Sequence, residues 1–527
     1  MADTNDRLKV CASSNIFKGV RNRDLMSELP DHILHLITSK LNLRDAVRTS
    51  ALSHKWRKLI SSYPGNYIKF SGKSMLANYE LAEIPCREHR EIFVRGVNQF
   101  VKLYQHQSGH DQPFIDGCKL SFCLGIDFTE DINRWVRFAI TMGAKTLQLF
   151  FSCWKDCEIM DDHKAKFVIS GDAFECAQSK FTTLSLKGCV LGPNLGNHLR
   201  FLARLRLTAI PALWQYDLDG MFSYLVNLHT LEILRTYLPQ EFCVGKLLRL
   251  KFLYVKWCDG HDITTINFSN LDLIKFICHS RQGIKFNASG APKLKILTYD
   301  VDGAETDIVP CHPNECPGLQ YLTVSTSLFW DISRVLTSTA PTRTITYLRL
   351  KSRRATNFLS LIEILRYFPC LEKLLVVTCS VEDSEEQRVI KPPVAGCVYE
   401  HLRTIEFGRY CSHPRQLEFV VHMLKHATAL QEMIIMRKVQ KHFGRTCRKC
   451  SESGGHWEED EKLSLRQELQ KISHSATEMI IMRKVQKHFG RTCRKCSESG
   501  GHWEEDEKLS LRQELQKISH SATVTLQ

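Results

Sequence analysis

The chain has 527 residues, 43% of them apolar and 24% charged, a composition that excludes wholesale disorder. That length exceeds one ordinary core and implies several domains or a long repeat array. Basic residues outnumber acidic ones, 71 to 57, and a net charge of +14 over so long a chain favours acidic partners only weakly.

In chain order, residues 1–20 read as a flexible N-terminus. Met1-Ala2-Asp3-Thr4-Asn5-Asp6 is polar and acidic, without the basic start and apolar stretch of a secretory leader. No apolar run along the chain is long enough to cross a membrane, so nucleus and/or cytoplasm is the expected location. In a reducing compartment the 21 cysteines, odd in number and scattered, read mostly as small buried apolar side chains.

Residues 21–65 carry the periodicity of three short amphipathic helices. Pro30 suits a first helical turn, where a missing N–H costs nothing, and Ile33, Leu34, Ile37 and Leu41 follow on one stripe. Asp45 is the expected cap of a second helix carrying Val47 and Leu52. Ser53 is the expected cap of a third, with Trp56 and Leu59 three apart on one side. Three such helices make a core below the usual size for independent stability, and apolar residues exposed on them would want a partner helix.

The order Leu29-Pro30-Asp31-His32-Ile33-Leu34, then Asp45-Ala46-Val47-Arg48-Thr49-Ser50-Ala51-Leu52-Ser53-His54-Lys55-Trp56-Arg57, closely resembles the F-box of plant F-box proteins. One departure is Asn42, in the turn between helices, where many plant members carry proline. The resemblance implies docking on a Skp1-like adaptor and, through it, a cullin. It makes Leu29, Pro30, Ile33, Leu34, Leu52 and Trp56 the candidate adaptor-binding residues. The alternative, weightiest for Leu52 and Trp56, is that they fill the three-helix core.

Residues 66–140 read as a linker and the start of a repeat domain that occupies 141–395. There the pattern apolar-x-x-apolar-x-apolar, the strand signature of a leucine-rich repeat, recurs. Its copies begin with Phe181/Leu184/Leu186, Leu202/Leu205/Leu207, Leu228/Leu231/Ile233, Leu250/Leu253/Val255 and Leu271/Ile274/Phe276. They continue with Leu294/Leu297/Tyr299, Leu319/Leu322/Val324, Ile345/Leu348/Leu350, Leu371/Leu374/Val376 and Leu402/Ile405/Phe407. Leu147/Leu149 precedes the series and Leu430/Met433/Ile435 closes it. Cys189, Cys258 and Cys379 fall three positions past the last apolar site, where a small side chain turns the chain out of the strand. Each unit buries its apolar edge only by stacking on its neighbours. The expected fold is therefore α/β: a three-helix F-box, then a leucine-rich-repeat solenoid with a curved parallel sheet, then a polar, partly helical tail. Its broad concave face would be a binding surface and implies no chemistry.

Residues 396–436 begin with Cys397-Val398-Tyr399-Glu400-His401-Leu402-Arg403-Thr404-Ile405-Glu406-Phe407. A helix follows, expected to place Leu417, Val420, Val421 and Leu424 on one face. This stretch resembles the FBD region of plant F-box/leucine-rich-repeat proteins and would cap the array, a task terminal units must perform.

Residues 437–527 form a charged tail, and the stretch Glu432–Thr477 that runs into it is repeated letter for letter as Glu478–Thr523, 46 residues in each copy. Packing constrains only core positions, so identity at every exposed position marks a recent duplication or an error in the gene model. The array is expected to end at Met433-Ile434-Ile435, with the second copy dispensable. Cys447, Cys450 and His456, with their copies Cys493, Cys496 and His502, raise a zinc alternative. Its spacing is wider than common sites and depends on the duplication, so no metal or other cofactor is expected. Arg437, Lys438, Lys441, Arg445, Arg448 and Lys449 around Phe443 would suit nucleic acid, but the acidic run Glu458-Glu459-Asp460-Glu461 follows. No phosphate loop, dinucleotide fingerprint or hydrolase motif occurs.

The reading is a non-catalytic substrate-recognition subunit of an SCF (Skp1-cullin-F-box) ubiquitin ligase. Its partners would be the adaptor, a cullin and an unknown target protein, with neither membrane nor nucleic acid favoured. The alternative is a basic nucleic-acid-binding repeat protein with a C-terminal zinc site.

Overall fold

The computed structural model describes residues 26, 28–41, 43–61, 67–76, 86–106, 115–152, 166–176, 181–211, 213–260, 264–268, 272–280, 284–287, 291–301, 316–326, 341–352, 358–377, 398–408, 414–436, 440–442, 480–483 and 486–488. The chain divides into two compact units, Met1–Phe167 and Val168–Gln527.

The first unit opens with α1 (Asp31–Lys40), α2 (Leu43–Thr49) and α3 (His54–Ser61). Pro30 stands just before α1, and its carbonyl accepts from the Ile33 and Leu34 N–H groups at 3.0 and 3.2 Å. Ser53 caps α3 as expected, its Oγ accepting from the Trp56 N–H at 3.3 Å. The expected cap at Asp45 is corrected: α2 starts at Leu43, so Asp45 lies inside the first turn, where a carboxylate favours the positive helix end. Leu52 is likewise beyond α2, not on it. Leu34 and Trp56 form the buried centre of the three helices, with Leu29 and Ile37 packed against them. Lys55 on α3 ties α1 down, donating to the Leu29 carbonyl at 2.6 Å and pairing with Asp31 at 3.1 Å.

Three parallel strands follow in this unit, β1 (Tyr67–Ser71), β2 (Gly117–Ser121) and β3 (Thr146–Phe150). Between them run α4 (Cys86–His106) and α5 (Thr129–Thr141). Period-two alternation buries Ile68 and Phe70, Cys118 and Leu120, Leu147 and Leu149, each pair in register with the next. Phe70 meets Phe100 edge-on at 5.4 Å, and Phe93 stacks on Phe122 at 4.3 Å. Asn98 joins the two helices, accepting from the Trp135 indole N–H at 2.7 Å and donating to Asp131 at 2.9 Å.

The second unit is a parallel ladder that begins with β4 (Thr183–Lys187), β5 (Arg204–Thr208), β6 (Thr230–Leu234), β7 (Phe252–Gly260) and β8 (Lys275–Ser280). It continues through β9 (Ile296–Val301), β10 (Tyr321–Thr326), β11 (Tyr347–Ser352), β12 (Lys373–Val377), β13 (Thr404–Gly408) and β14 (Glu432–Met436). Each strand pairs with its predecessor in order, as stacked repeats require. The central apolar residues Leu184, Leu205, Leu231 and Leu253 share one register row and are buried.

One repeat is framed differently from the expectation. Leu253 and Leu297 both stand opposite Phe276, so Phe276 is the central residue of β8 and Cys278 the last, with Leu273 buried before them. The frame Leu271/Ile274/Phe276 is therefore two residues out of step; Ile274 is half-buried and precedes the strand. Phe276 sits among aromatic rings, 5.2 Å from Phe268 and 5.1 Å from Phe286.

A common turn ends several of these strands. Gly188, Ala209, Arg235 and Trp257 all adopt left-handed backbone, with φ of 68°, 48°, 51° and 53°. The N–H groups of Gly188, Ala209 and Arg235 donate to Thr208, Leu234 and Lys256 carbonyls on the next strand at 2.8 to 3.1 Å. This turn sends the following residue inward: Cys189 and Cys258 are buried, and burial pushes both thiols up to about 12. Cys379 lies outside the described residues.

Toward the C-terminus, α6 (Phe358–Leu365) buries Leu361, Ile362, Ile364 and Leu365. In α7 (Pro414–His426) the buried face is Gln416, Phe419, Val420, Met423 and Leu424, and Ala427 just after the helix is buried too. That corrects the expected stripe: Val421 is half-buried, and the Leu417 side chain lies outside the described residues. The reason is spacing, since Phe419 and Met423 are larger apolar groups one helical turn apart and set the rotation of the helix.

His422 on α7 is held down to about 4, chiefly by burial and secondly by the His426 charge; its Nε2 has no hydrogen-bond partner. The unfolded chain would protonate this ring near its ordinary 6.5, so the neutral ring's contribution to stability is full above pH 6.5 and lost as pH falls through about 4. Thermal melts across that window are expected to fall more steeply with acid for the wild type than for His422→Leu. Parallel curves would contradict this.

The ladder does not stop at Met433-Ile434-Ile435. A further strand, β15 (Ile480–Arg483) in the second copy, pairs in parallel with β14, and Gln486–His488 pairs with Gln440–His442. An unpaired strand edge offers open N–H and C=O groups, and a segment of identical strand-forming sequence can satisfy them. This removes the ground for treating the second copy as dispensable. Met433 stands opposite Ile480, one position past its own duplicate Met479, whereas Gln440 stands opposite its duplicate Gln486. The cysteines and histidines of the zinc alternative, the basic cluster apart from Lys441, and the acidic run lie outside the described residues.

Candidate functional site

Two surfaces emerge, one in each unit. In the first, the structure sorts the six candidate adaptor-binding residues by burial. Leu34 and Trp56 are buried at the centre of the helices, and Leu29 and Ile33 are half-buried. Pro30 is exposed, and Leu52 is 65% exposed. Leu36 and Met26 are also exposed and were missed by the periodicity argument, which looks for a buried stripe. Exposed leucines on so small a helical unit are surface whose burial by a partner would be favourable.

In the second unit the strand face between the buried rows is charged and aromatic. Arg206 Nε lies 3.6 Å from Glu232, and Lys373 lies 2.5 Å from Glu406. Asp300 accepts contacts from His279 at 3.2 Å and Lys351 at 3.4 Å. Tyr254 carries Lys256 at 5.2 Å and Lys275 at 5.9 Å from its ring centre. Trp257 is half-exposed, stacked on His279 at 6.4 Å with the Arg235 guanidinium over it at 5.6 Å. Burial lowers the Lys256 ammonium below its ordinary value; Glu232 opposes that shift, and the Lys275 and Arg206 charges add to it. Arg349 has a buried Nε with no hydrogen-bond partner.

Among the described residues no cluster of three or more His, Cys, Asp or Glu side chains is placed to hold a metal ion. Nor is any helix among them long and apolar enough to cross a membrane.

Comparison with known proteins places both units. A family model for the F-box domain matches residues 26–66, and the LRR-domain model of At1g61320/AtMIF1 matches residues 115–487. The chain is 21% identical to the FBD-associated F-box protein At5g22730 of Arabidopsis thaliana, over 80% of this chain and 89% of that protein. It is 26% identical to the F-box/LRR-repeat protein At3g26922 of the same plant, over 41% of this chain and 60% of that one. With the F-box/LRR-repeat protein At3g03360 identity is 28%, over 27% and 25% of the two chains. The helices that carry Leu34 and Trp56, the parallel ladder of repeats and these matches agree: the chain belongs to the plant F-box proteins with an At1g61320/AtMIF1-type LRR domain.

Proposed function

We propose that the chain is the substrate-recognition subunit of an SCF-type ubiquitin ligase. The F-box docks a Skp1-like adaptor, the adaptor brings a cullin, and the repeat face holds a target protein. The chain then acts by placing the target and performs no chemistry itself.

The observation that carries this reading is the F-box match at residues 26–66, on helices that leave Pro30 and Leu52 open. Pro30 and Leu52 supply direct apolar contact in this account. Leu29, Ile33, Leu34 and Trp56 act beneath them, holding α1 and α3 in the docking geometry. Burying an exposed leucine side chain gains about 1.5–3 kcal/mol, so a few such residues suffice for a stable contact.

Affinity purification of the full chain from plant tissue tests the reading. A Skp1-like adaptor and a cullin should co-purify in fixed proportion. Recovery of the chain without either would sink it, and recovery with bound nucleic acid in their place would favour the basic-repeat alternative.

A further inference from the structure

We propose that the strand face of β5–β8 recognises an acidic segment of the partner protein that the repeats hold; this deepens the receptor reading above and rests on it. Arg206, Arg235, Lys256 and Lys275 converge there, and Glu232 is the carboxylate among them, already engaged by Arg206 at 3.6 Å. Among the described residues neither Lys256 nor Lys275 has an ion pair; both approach the Tyr254 ring instead. Half-buried cations without a direct ion pair are costly to hold, and an incoming acidic side chain would relieve that cost. The lowered Lys256 value is the same strain seen in its protonation.

Backbone geometry supplies the second argument. Lys256 and Cys258 flank a register shift, with Trp257 between them in left-handed backbone next to Arg235 in the same conformation. Gly188 holds the equivalent place two repeats before Arg235, where a glycine adopts it freely. A tryptophan and an arginine retained there are strained, and bulges of this kind re-aim side chains. The result is an exposed indole beside a guanidinium at the rim of the cationic patch. Tryptophan and arginine are the residues most often found to dominate protein interfaces.

The mixed charge favours a short acidic peptide segment over a nucleic acid. Glu232, Asp300 and Glu406 stand on the same face and would repel a continuous run of phosphates.

The test uses the purified full-length chain, with and without a Skp1-like adaptor. The probes are a fluorescein-labelled peptide of alternating glutamate and serine, its lysine counterpart, and a labelled single-stranded RNA of equal length. The acidic peptide should bind, and K256E with K275E should weaken it roughly ten-fold or more. The charge-matched control K246E with K293E, on exposed lysines outside the strands, should stay within about two-fold. K256Q with K275Q gives the same reading if charge reversal disturbs folding, and Trp257→Ala should also weaken binding.

Equal weakening by the two lysine pairs, tighter binding of the RNA, or no binding of the acidic peptide would each overturn the proposal. Adaptor retention is scored separately. A chain that binds the acidic peptide but never the adaptor keeps this inference and loses the ligase reading. A chain that binds the adaptor but not the peptide does the reverse.

Discussion

Phe276→Ala is expected to destabilise the repeat unit by about 3–5 kcal/mol, whereas Ile274→Ala, two residues earlier, should cost under about 1 kcal/mol. Phe276 is fully buried, stands between Leu253 and Leu297, and meets Phe268 and Phe286 at little over 5 Å. Removing its ring deletes those contacts and leaves a cavity that strands pinned on both sides cannot close. Ile274 is half-buried and precedes β8, so its loss opens no comparable void. Urea unfolding followed by tryptophan fluorescence measures both. Equal losses, or a larger loss at Ile274, would restore the other frame.

That pair of residues also shows how far the pattern could be read. The letters from Leu271 to Cys278 satisfy apolar-x-x-apolar-x-apolar in two frames, and only one admits cysteine as an apolar residue. Cysteine does behave as a small hydrophobe in a core, so the correct frame was legible once Cys278 was counted. At Leu231 and Leu348 the frame was unambiguous, because the frame two residues later meets Thr230 and Arg235 in one case and Ser352 in the other.

The strands β1 and β2 escaped for a different reason. Ile68 and Phe70 alternate correctly, but the 21-residue helix α4 separates them from Cys118 and Leu120, and the repeat step is lost. At the F-box the helices were legible and the division of labour was not. Trp56 and Leu52 are equally apolar in sequence; burial of one and exposure of the other depends on how three short helices close on Leu34. The charged strand face left no motif, because no single residue type persists along the array at any of its positions.

The second large effect is expected at the F-box surface. Pro30→Ala combined with Leu52→Asp should weaken adaptor docking by about 3 kcal/mol, on the order of a hundred-fold, while leaving the fold intact. Both side chains are exposed, so neither change opens the Leu34–Trp56 core. The aspartate adds a charge that a closed apolar contact would have to desolvate. Trp56→Ala is the contrasting change. It should lower the melting temperature of the F-box first, and adaptor binding only as a consequence, because the indole is 2% exposed and touches Leu34 from within. Recovery of equal adaptor by the folded double variant and the wild type would remove Pro30 and Leu52 from the interface.

The central claim is that this chain is an adaptor-docking receptor, and titration of the purified full chain with a purified plant Skp1-like protein tests it most directly. The account predicts saturable one-to-one binding with a negative heat-capacity change, as apolar burial requires, and a loss on the order of a hundred-fold for Pro30→Ala with Leu52→Asp. Absence of binding by a wild-type chain that unfolds cooperatively would contradict it.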